Sequence, residues 1–323
     1  MGLLGILMLL AGLLFSSTAA ASMSMTFLPH WLPQAQFAGY YIAQEKGFYR
    51  REGIDVRILR GGPEYPPAEM LAQRKATATS MFLSEALQHR DKGLKLINIC
   101  QLMQKSGFIL VARRASGIVE PGDLKGRRIS LWNHFKVQPQ AFFRKYGIEP
   151  HILPQGSTVN LFLRGGVDGA AAMWYNEYHM ILNAGLDAEE LTTFFFDEHG
   201  LNFPEDGIYV LEETYRRHPE WCRRFVRATL AGWTYAFEHP EEALDVVMQH
   251  ASQARTGTNR VHQRWMLARM KDLMRTPDSR RRFGALYDGD YEVITRELLQ
   301  AGLIRSIPPW QAFFRDNTHA APR

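Results

Sequence analysis

The stretch MTFLPHWLPQAQFAGYYIAQEKGFYRREGIDVRIL, residues 25–59, decides the fold. It opens with the apolar run Met25 to Leu28, which predicts a strand, and passes through a loop that contains two prolines. Ala35 to Tyr49 then shows the spacing of a helix, and the alternating segment Ile54 to Leu59 predicts a second strand. A strand, a helix and a second strand in this order form the unit from which helix-covered sheets are built.

The same alternation continues beyond this stretch, in two runs. The first run adds strands predicted at 77–82, 94–102 and 108–112. After a break at 121–126 the alternation restarts, with strands predicted at 128–132, 152–153 and 169–173. From Glu212 onward the pattern is mostly helical. Two runs with a connector near 111–125 predict two α/β domains, whose ligands bind at the carboxyl ends of the strands.

Composition excludes several classes of protein. The chain has 323 residues, of which 46% are hydrophobic and 22% charged, an ordinary globular balance that excludes a disordered chain. Its two cysteines, Cys100 and Cys222, exclude a disulfide scaffold; Cys100 ends an apolar run and is expected as a buried strand thiol, and pairing between the two stays open. The net charge of +5 is spread thinly, so we expect no nucleic-acid partner.

The N-terminal segment has the pattern of an export signal. Residues 1–25 contain no Lys, Arg, Asp or Glu; an apolar run from Leu3 to Phe15 leads to Ala19-Ala20-Ala21. A short apolar core followed by small residues predicts a signal peptide over residues 1–21 and hence a periplasmic protein. An uncleaved membrane anchor is the alternative.

Aromatic and hydrogen-bonding residues concentrate in the loops that follow the predicted strands. The residues concerned are His30, Trp31, Gln34, Gln36, Phe82, Ser84, Glu85, Trp132, Asn133, His134, Trp174, Tyr175, Asn176, Glu177 and Tyr178. Flat rings beside amides and carboxylates suit a planar polar heterocycle, whereas each ring by itself is equally well a core residue. Four such loops at one edge predict a binding cleft.

Other chemistries have weaker support in the sequence. Glu177 and His179 are two residues apart on a predicted helix and face different sides, so we expect no metal site. Neither glycine pair, at 61–62 or at 165–166, belongs to a phosphate-loop motif, and no GxSxG sequence is present. We therefore expect no catalytic residue and no cofactor.

Six segments carry a resemblance to a known family: WLPQAQFAGYY at 31–41, GFY at 47–49, GIDV at 53–56, LFLRGGVD at 161–168, AMWYNEY at 172–178 and NFPEDG at 202–207. They resemble the thiamine pyrimidine synthase-like and sulfonate-binding-like family of ABC transporter periplasmic solute-binding proteins. The similarity covers most of residues 25–270 and is more specific for the family than for the ligand.

The resemblance implies an α/β type II periplasmic binding-protein fold, with two lobes and a ligand cleft at the hinge. Lobe 1 would comprise residues 25–110 and 205–323, and lobe 2 residues 111–204. The implied function is that of a solute-binding receptor of an ABC importer, for a thiamine pyrimidine precursor (an aminopyrimidine) or a similar small heterocycle. Its partners would be the small-molecule ligand and an ABC permease in the inner membrane, and we expect a monomer.

The same resemblance implies two alternatives. The family's synthases make the thiamine pyrimidine from pyridoxal phosphate, held by a lysine, and from a histidine four residues later, with iron. Met81 and Glu85 stand at those positions here, and the region near 200–207 has none of the cysteines of the synthases. A receptor for a sulfonate-like solute would need a cation at the cleft, for which Lys136 and Arg164 are the nearest candidates.

The expected ligand-binding residues are Trp31, Gln36, Tyr40, Phe82, Glu85, Trp132, Trp174, Asn176 and Glu177. Trp31 and Trp174 are expected to stack on the ligand, one from each lobe. Glu177 or Glu85 would accept hydrogen bonds from an exocyclic amine. Asn176, Gln36 and Tyr40 would fix the orientation of the ligand.

Overall fold

The alternating strand and helix segments fold into two five-stranded sheets. The structure is a computed structural model that describes residues 23–278 and 280–318; the predicted signal peptide lies outside the described residues. The strands are β1 Met23–Leu28, β2 Ile54–Ile58, β3 Ala78–Phe82, β4 Leu96–Gln101, β5 Phe108–Arg113, β6 Arg128–Leu131, β7 His151–Pro154, β8 Gly169–Met173, β9 Leu191–Phe195 and β10 Asp206–Leu211. The α-helices are α1 Ala38–Glu45, α2 Phe48–Arg51, α3 Pro67–Ala72, α4 Leu83–Asp91, α5 Val137–Tyr146, α6 Asn160–Leu163, α7 Glu177–Asn183, α8 Glu212–Arg217, α9 Pro219–Glu238, α10 Pro240–Gln253, α11 Arg260–Met274, α12 Asp288–Gln300 and α13 Trp310–Phe313.

The two sheets share one topology. The first has the order β2-β1-β3-β10-β4, with β10 antiparallel to both of its neighbours. The second has the order β7-β6-β8-β5-β9, with β5 antiparallel to both of its neighbours. In each sheet the antiparallel strand is one that begins just after the chain has crossed from the other sheet. The predicted α/β class is therefore confirmed, and we call each sheet with the helices packed on it a lobe.

The crossing into the second lobe lies earlier than the sequence predicts. The expected connector was near 111–125, but strand β5 already pairs with β8 and β9 from Phe108 onward. The predicted lobe boundary at 110–111 consequently falls inside β5, and the boundary at 204–205 falls just before β10. The reason is that an apolar strand buried on both faces has the same sequence pattern whichever sheet it joins.

The helix predicted from Ala35 to Tyr49 is interrupted. It consists of a 3-10 turn at Ala35–Phe37, followed by α1 and the short α2. Gly47, with φ of 69°, separates α1 from α2 in the left-handed conformation that favours glycine. This break directs α2 back onto β2 and α9.

Helix α1 packs closely against α9, the longest helix of the described chain. A Cβ atom at Gly232 would lie 2.1 Å from the carbonyl oxygen of Gly39 and 2.7 Å from the Cβ of Ala43. Trp233, next along α9, is fully buried with its ring 6.1 Å from that of Tyr40. Glycine at the crossing point is what lets the two backbones approach.

Both cysteines are buried as free thiols, which confirms Cys100 as a buried strand thiol. Burial raises the pKa of Cys222, on α9, to about 12. No helix in the described part of the chain has the length and apolar character needed to cross a membrane.

Substituting alanine for Gly232 is expected to lower the free energy of unfolding by about 1–3 kcal/mol, the usual cost of overpacking. The better helix propensity of alanine opposes this by less than about 1 kcal/mol, and the clash is with backbone, which cannot swing away. Chemical denaturation measures the change. Gly257→Ala is the matched control, because no atom lies within 4 Å of its added Cβ. An equal effect of both substitutions would contradict the packing argument.

Candidate functional site

The carboxyl ends of β1, β3, β6 and β8 bring the predicted loops to the space between the lobes. Two crossings, at 102–107 and 196–205, join the lobes behind that space. The crossings connect the two lobes, and the loops supply the side chains that lie between them.

The carboxylate of Glu205 ties one crossing to the other. Its Oε1 accepts hydrogen bonds from Ser106 Oγ at 2.7 Å and from the amide of Phe108 at 3.2 Å. Its Oε2 accepts a hydrogen bond from the amide of Gly107 at 3.0 Å. Burial raises the pKa of Glu205 to about 7, although these hydrogen bonds favour the charged form and lower it.

Amide side chains complete the connection. The amide of Ser106 donates to Asn202 Oδ1 at 2.7 Å, and Asn202 Nδ2 donates to the carbonyl of Gln104 at 3.0 Å. Gln138, from the first turn of α5, donates through Nε2 to the carbonyl of Leu201 at 2.8 Å. The buried backbone of both crossings is therefore satisfied by side chains, as buried polar groups require.

The floor between the lobes is polar and centred on Asp206. Gln36 Nε2 donates to both carboxylate oxygens of Asp206, at 3.1 and 3.0 Å, and to the hydroxyl of Tyr175 at 3.2 Å. His30 Nδ1 lies 2.8 Å from Ser80 Oγ, and His30 Nε2 lies 3.7 Å from Asp206 Oδ1. Burial raises the pKa of Asp206 well above its ordinary value and lowers the pKa of His30 to about 3, so the imidazole is neutral.

Aromatic rings from both lobes meet above this floor. The ring centroid of Phe82, at the end of β3, lies 5.0 Å from that of Phe135, which follows β6. Phe82 also contacts His30 at 5.3 Å, and Trp132 lies 5.6 Å from Phe108 and 6.3 Å from Phe135. The first and second lobes therefore touch through rings at the edge where an α/β sheet binds its ligand.

We call the space beside these rings the interlobe crevice. Ten residues line it, among them Phe82, Ser84 and Gln88 of the first lobe and Phe108, Phe135 and Gln138 of the second. Its volume is about 20 Å³, which is room for one water molecule. In this closed arrangement an aromatic heterocycle enters only when the lobes separate.

Trp174, expected to stack on a ligand, packs against helix α11. The guanidinium carbon of Arg269 lies 4.7 Å from the ring centroids of both Trp174 and Trp265. The indole nitrogen of Trp265 donates to the carbonyl of Trp174 at 3.0 Å, and the ring of Phe195 lies edge-on to Trp174 at 5.3 Å. One face of Trp174 is thus taken by α11.

Asn176 and Glu177 stand at the start of α7, and Asn176 also contacts α11. Glu177 accepts hydrogen bonds from the amide of Met173 at 2.9 Å and from Asn176 Nδ2 at 2.8 Å, and burial raises its pKa. Asn176 Oδ1 lies 2.8 Å from His262 Nε2, and His262 Nδ1 lies 2.9 Å from His179 Nδ1. Both side chains already have hydrogen-bond partners within the protein. The ligand contacts expected of Asn176 and Glu177 stay predictions.

Three predicted residues lie apart from one another around the floor. Trp31 is 41% exposed, at the outer rim. Tyr40 is buried in the core, stacked on Phe27 at 4.2 Å, and its hydroxyl has no hydrogen-bond partner among the described residues. Glu85 lies half-buried in the first turn of α4, next to Phe82, and burial raises its pKa to about 7.

Of the predicted residues, the structure thus gathers Gln36, Phe82, Glu85 and Trp132 in or against the interlobe space. It adds His30 and Tyr175, which the sequence placed in the cleft loops without a binding role, and also Phe135, Glu205 and Asp206, which the sequence did not select. The signals were present: Glu205 and Asp206 lie in the NFPEDG segment, and Phe135 follows Trp132 by three residues. Among residues 23–278 and 280–318, no group of three or more His, Cys, Asp or Glu side chains is placed to hold a metal ion.

Comparison with known proteins agrees with this architecture. The sequence model of the family described as "NMT1/THI5 like" matches residues 34–243. The structure superposes on the periplasmic aliphatic sulphonate binding protein SsuA of Escherichia coli over 93% of this chain and 94% of that chain, with a TM-score of 0.68 and 11% identity. The predicted type II periplasmic binding-protein fold is thereby confirmed.

The relatives found by sequence are named either as binding proteins or as synthases. The riboflavin-binding protein RibY of Chloroflexus aurantiacus is 26% identical over 72% of this chain and 68% of its own length. The formylaminopyrimidine-binding protein of Halalkalibacterium halodurans is 22% identical over 69% of either chain. A 4-amino-5-hydroxymethyl-2-methylpyrimidine phosphate synthase of Saccharomyces cerevisiae is 25% identical over 68% of either chain.

Replacing Glu205 with glutamine is expected to lower the free energy of unfolding by about 1.5–3 kcal/mol, the cost of losing a hydrogen bond to a charged acceptor. The new amide nitrogen would face the backbone donors of Gly107 or Phe108, which cannot turn away. Urea denaturation at pH 8 measures the change. Glu64→Gln is the control, because Glu64 is an exposed carboxylate paired only with exposed Arg60. A smaller loss for Glu205→Gln than for the control would contradict its hinge role.

Glu85→Gln is expected to change how stability depends on pH. In the folded chain, Glu85 keeps its proton up to about pH 7. In the unfolded chain, where its pKa has the ordinary value of 4.5, it has lost the proton well below that pH. The folded state therefore binds more protons between these limits, and this group lowers the free energy of unfolding as pH rises from about 4.5 to about 7.

The measurement is a set of urea denaturation curves at half-unit steps across this range, for the native chain and for Glu85→Gln. The difference between the two curves isolates Glu85 from groups that titrate nearby, such as His262, whose pKa burial lowers to about 4. With rising pH, we expect the free energy of unfolding of Glu85→Gln to increase relative to that of the native chain. A difference that does not change with pH would contradict the prediction.

Proposed function

The chain belongs to the NMT1/THI5-like family, and we propose that it is the solute-binding receptor of an ABC importer for a small planar nitrogen heterocycle. A pyrimidine precursor of thiamine is the ligand class that we favour. The names of the riboflavin-binding and formylaminopyrimidine-binding relatives support a receptor for a ring of this kind.

One observation carries the proposal: the rings of Phe82 and Phe135 meet across the two lobes above a polar floor, with centroids 5.0 Å apart and planes tilted by 37°. A flat ring that separates them would bury both of its faces against aromatic carbon. Gln36 and Asp206 below would meet its polar edge. Apolar walls with a few convergent polar groups are the usual composition of a small-molecule site.

The synthase alternative has less support from the site. Met81 is buried in β3 and has no amine with which to bind pyridoxal phosphate. Glu85 has no imidazole to give. The similarity to the yeast synthase keeps this alternative open to the test below.

Capture would proceed by closure of the lobes. The crossings, fastened by Glu205, act as the hinge. A ligand that contacts Phe82 of the first lobe and Phe135 of the second stabilises the closed state by binding it more tightly than the open one. Contacts of α11 with Trp174 lie across the same boundary and would be remade at each closure.

Within the proposed site, Phe82 and Phe135 stack, Gln36 and Glu85 contact the polar edge, and Trp132 supports Phe135. Trp31 at the rim would cover the ligand from outside. Trp174, Asn176 and Glu177 would hold the second lobe against α11, and Tyr40 would act through the core.

We further propose that the protein works in the periplasm as a monomer. The apolar N-terminal segment would direct its export, and its closed form would dock on a permease in the inner membrane. No cofactor and no nucleic acid take part in this cycle.

Native mass spectrometry of the chain purified from its own cells tests the function directly. We expect a noncovalent nitrogen heterocycle, released on denaturation, and an affinity for that ligand about 10-fold lower in Phe82→Ala and in Phe135→Ala, from lost stacking and apolar contact. Leu299→Ala, an exposed position on α12, is the control and should bind as the native chain does.

Covalently held pyridoxal phosphate, or a modified histidine in the chain, would overturn the receptor proposal in favour of the synthase. Unchanged affinity in both phenylalanine variants would place the ligand elsewhere.

A further inference from the structure

The floor of the interlobe space has more hydrogen-bond acceptors than donors. Both oxygens of Asp206 receive their hydrogen bond from the same Gln36 nitrogen. An ionised carboxylate accepts about four hydrogen bonds, so capacity remains on each oxygen. Separation of the lobes would break the bond between Gln36 and the Tyr175 hydroxyl of the second lobe and would uncover the pair that Gln36 forms with Asp206.

Glu85 is a second acceptor beside the same floor. The backbone amide of Phe82 donates a hydrogen bond to its carboxyl, and no side chain of the described chain does, so acceptor capacity remains. Its charge acts on Asp206, since Glu85 contributes to the raised pKa of that residue.

His30 adds a third acceptor. Its Nε2 lies 3.4 Å from the Nε2 of Gln36, an amide nitrogen that only donates. The neutral imidazole therefore presents a lone pair there, with its proton on Nδ1 toward Ser80 Oγ.

Glu205, by contrast, is excluded from this set. Three protein donors, from Ser106, Gly107 and Phe108, already occupy its two oxygens. Its role is in the hinge.

Among the described residues, no Lys or Arg forms an ion pair with Asp206 or Glu85. None of the ten residues that line the interlobe crevice is Lys or Arg. Lys136 is not among them, and exposed Arg164 lies in the turn that precedes β8, at the sheet edge opposite to the crevice. Burial raises the pKa of Asp206 and so disfavours its charged form, and a ligand that brings donors or positive charge would offset that cost, whereas an anion would increase it.

We propose that Asp206 and Glu85 determine specificity, by selecting a heterocycle that carries an amino group beside a ring nitrogen and by rejecting anions. This inference rests on the receptor function proposed above. An amino group beside a protonated ring nitrogen offers two parallel donors, which match the two oxygens of one carboxylate as a guanidinium does.

Two other ligand chemistries fit this floor poorly. A sulfonate would place its negative charge against Asp206 and Glu85 with no cation to hold it. The dione edge of a flavin has a carbonyl on each side of its N–H, so two acceptors would face the carboxylates. The aminopyrimidine is therefore favoured over both.

Isothermal titration calorimetry with four probes tests the inference: 4-amino-5-hydroxymethyl-2-methylpyrimidine, its analogue with a 4-oxo group in place of the 4-amino group, riboflavin and taurine. We expect the amino compound to bind at least about 100-fold more tightly than the oxo analogue, and taurine not to bind. Asp206→Asn and Glu85→Gln should each weaken the amino compound by about 10- to 100-fold and narrow its preference over the oxo analogue.

Glu64→Gln, on an exposed loop, is the control for removal of a carboxylate and should keep both affinities. Because Asp206 is fully buried, its variant is first checked for a native unfolding transition; Glu85→Gln, at a half-buried position, answers the question if that variant does not fold.

Equal or tighter binding of the oxo analogue, riboflavin or taurine, or no binding of the amino compound, overturns this inference. So does an unchanged preference in the folded variants. A bound heterocycle without an amino group leaves the receptor function standing, whereas covalent pyridoxal phosphate in the native chain overturns the receptor function itself.

Discussion

The Glu205 carboxylate, held between two chain crossings, is the interaction on which the interlobe space depends. It sits at the end of the return crossing and accepts hydrogen bonds from Ser106, Gly107 and Phe108 of the outgoing one. Successive residues of an extended chain point to opposite sides. Asp206, the next residue, accordingly faces Gln36 and forms the floor. Two adjacent acidic residues thus serve the hinge and the candidate binding site separately, and any shift in one crossing moves both.

Three of the contacts between the lobes lie at or beside the interlobe space. Phe82 and Phe135 touch through their rings, the Gln36 amide reaches the hydroxyl of Tyr175, and α11 holds Trp174. The first two lie where a ligand would insert, and separation of the lobes breaks both. The contact of α11 lies beside them, so the closed state keeps some stabilisation that does not come from the ligand. In the proposed cycle, this would lower the free energy that ligand binding must supply for closure.

Helix α11 explains why the WYN segment after β8 does not stand free in the cleft. Trp265 and Arg269 cover Trp174, and His262 reaches Asn176. The helix is itself anchored on the first lobe, where Gln263 Oε1 accepts a hydrogen bond from the amide of Ala35 at 2.5 Å. An aromatic and polar loop, which by its sequence is typical of a ligand site, is here also one half of a contact between lobes.

The sequence by itself determined the α/β class, most strand positions and the edge that holds the candidate site, because these follow from local periodicity and from the short loops between elements. It also placed Gln36, Phe82, Glu85 and Trp132 near that edge, since residues that follow parallel strands converge there. Only the tertiary structure decided that β5 joins the second sheet, that Trp174 meets a helix some 90 positions later and that Asp206 is the centre of the floor. These outcomes depend on which distant segments pack together, and a buried apolar strand or a carboxylate has the same local sequence pattern whatever partner it finds.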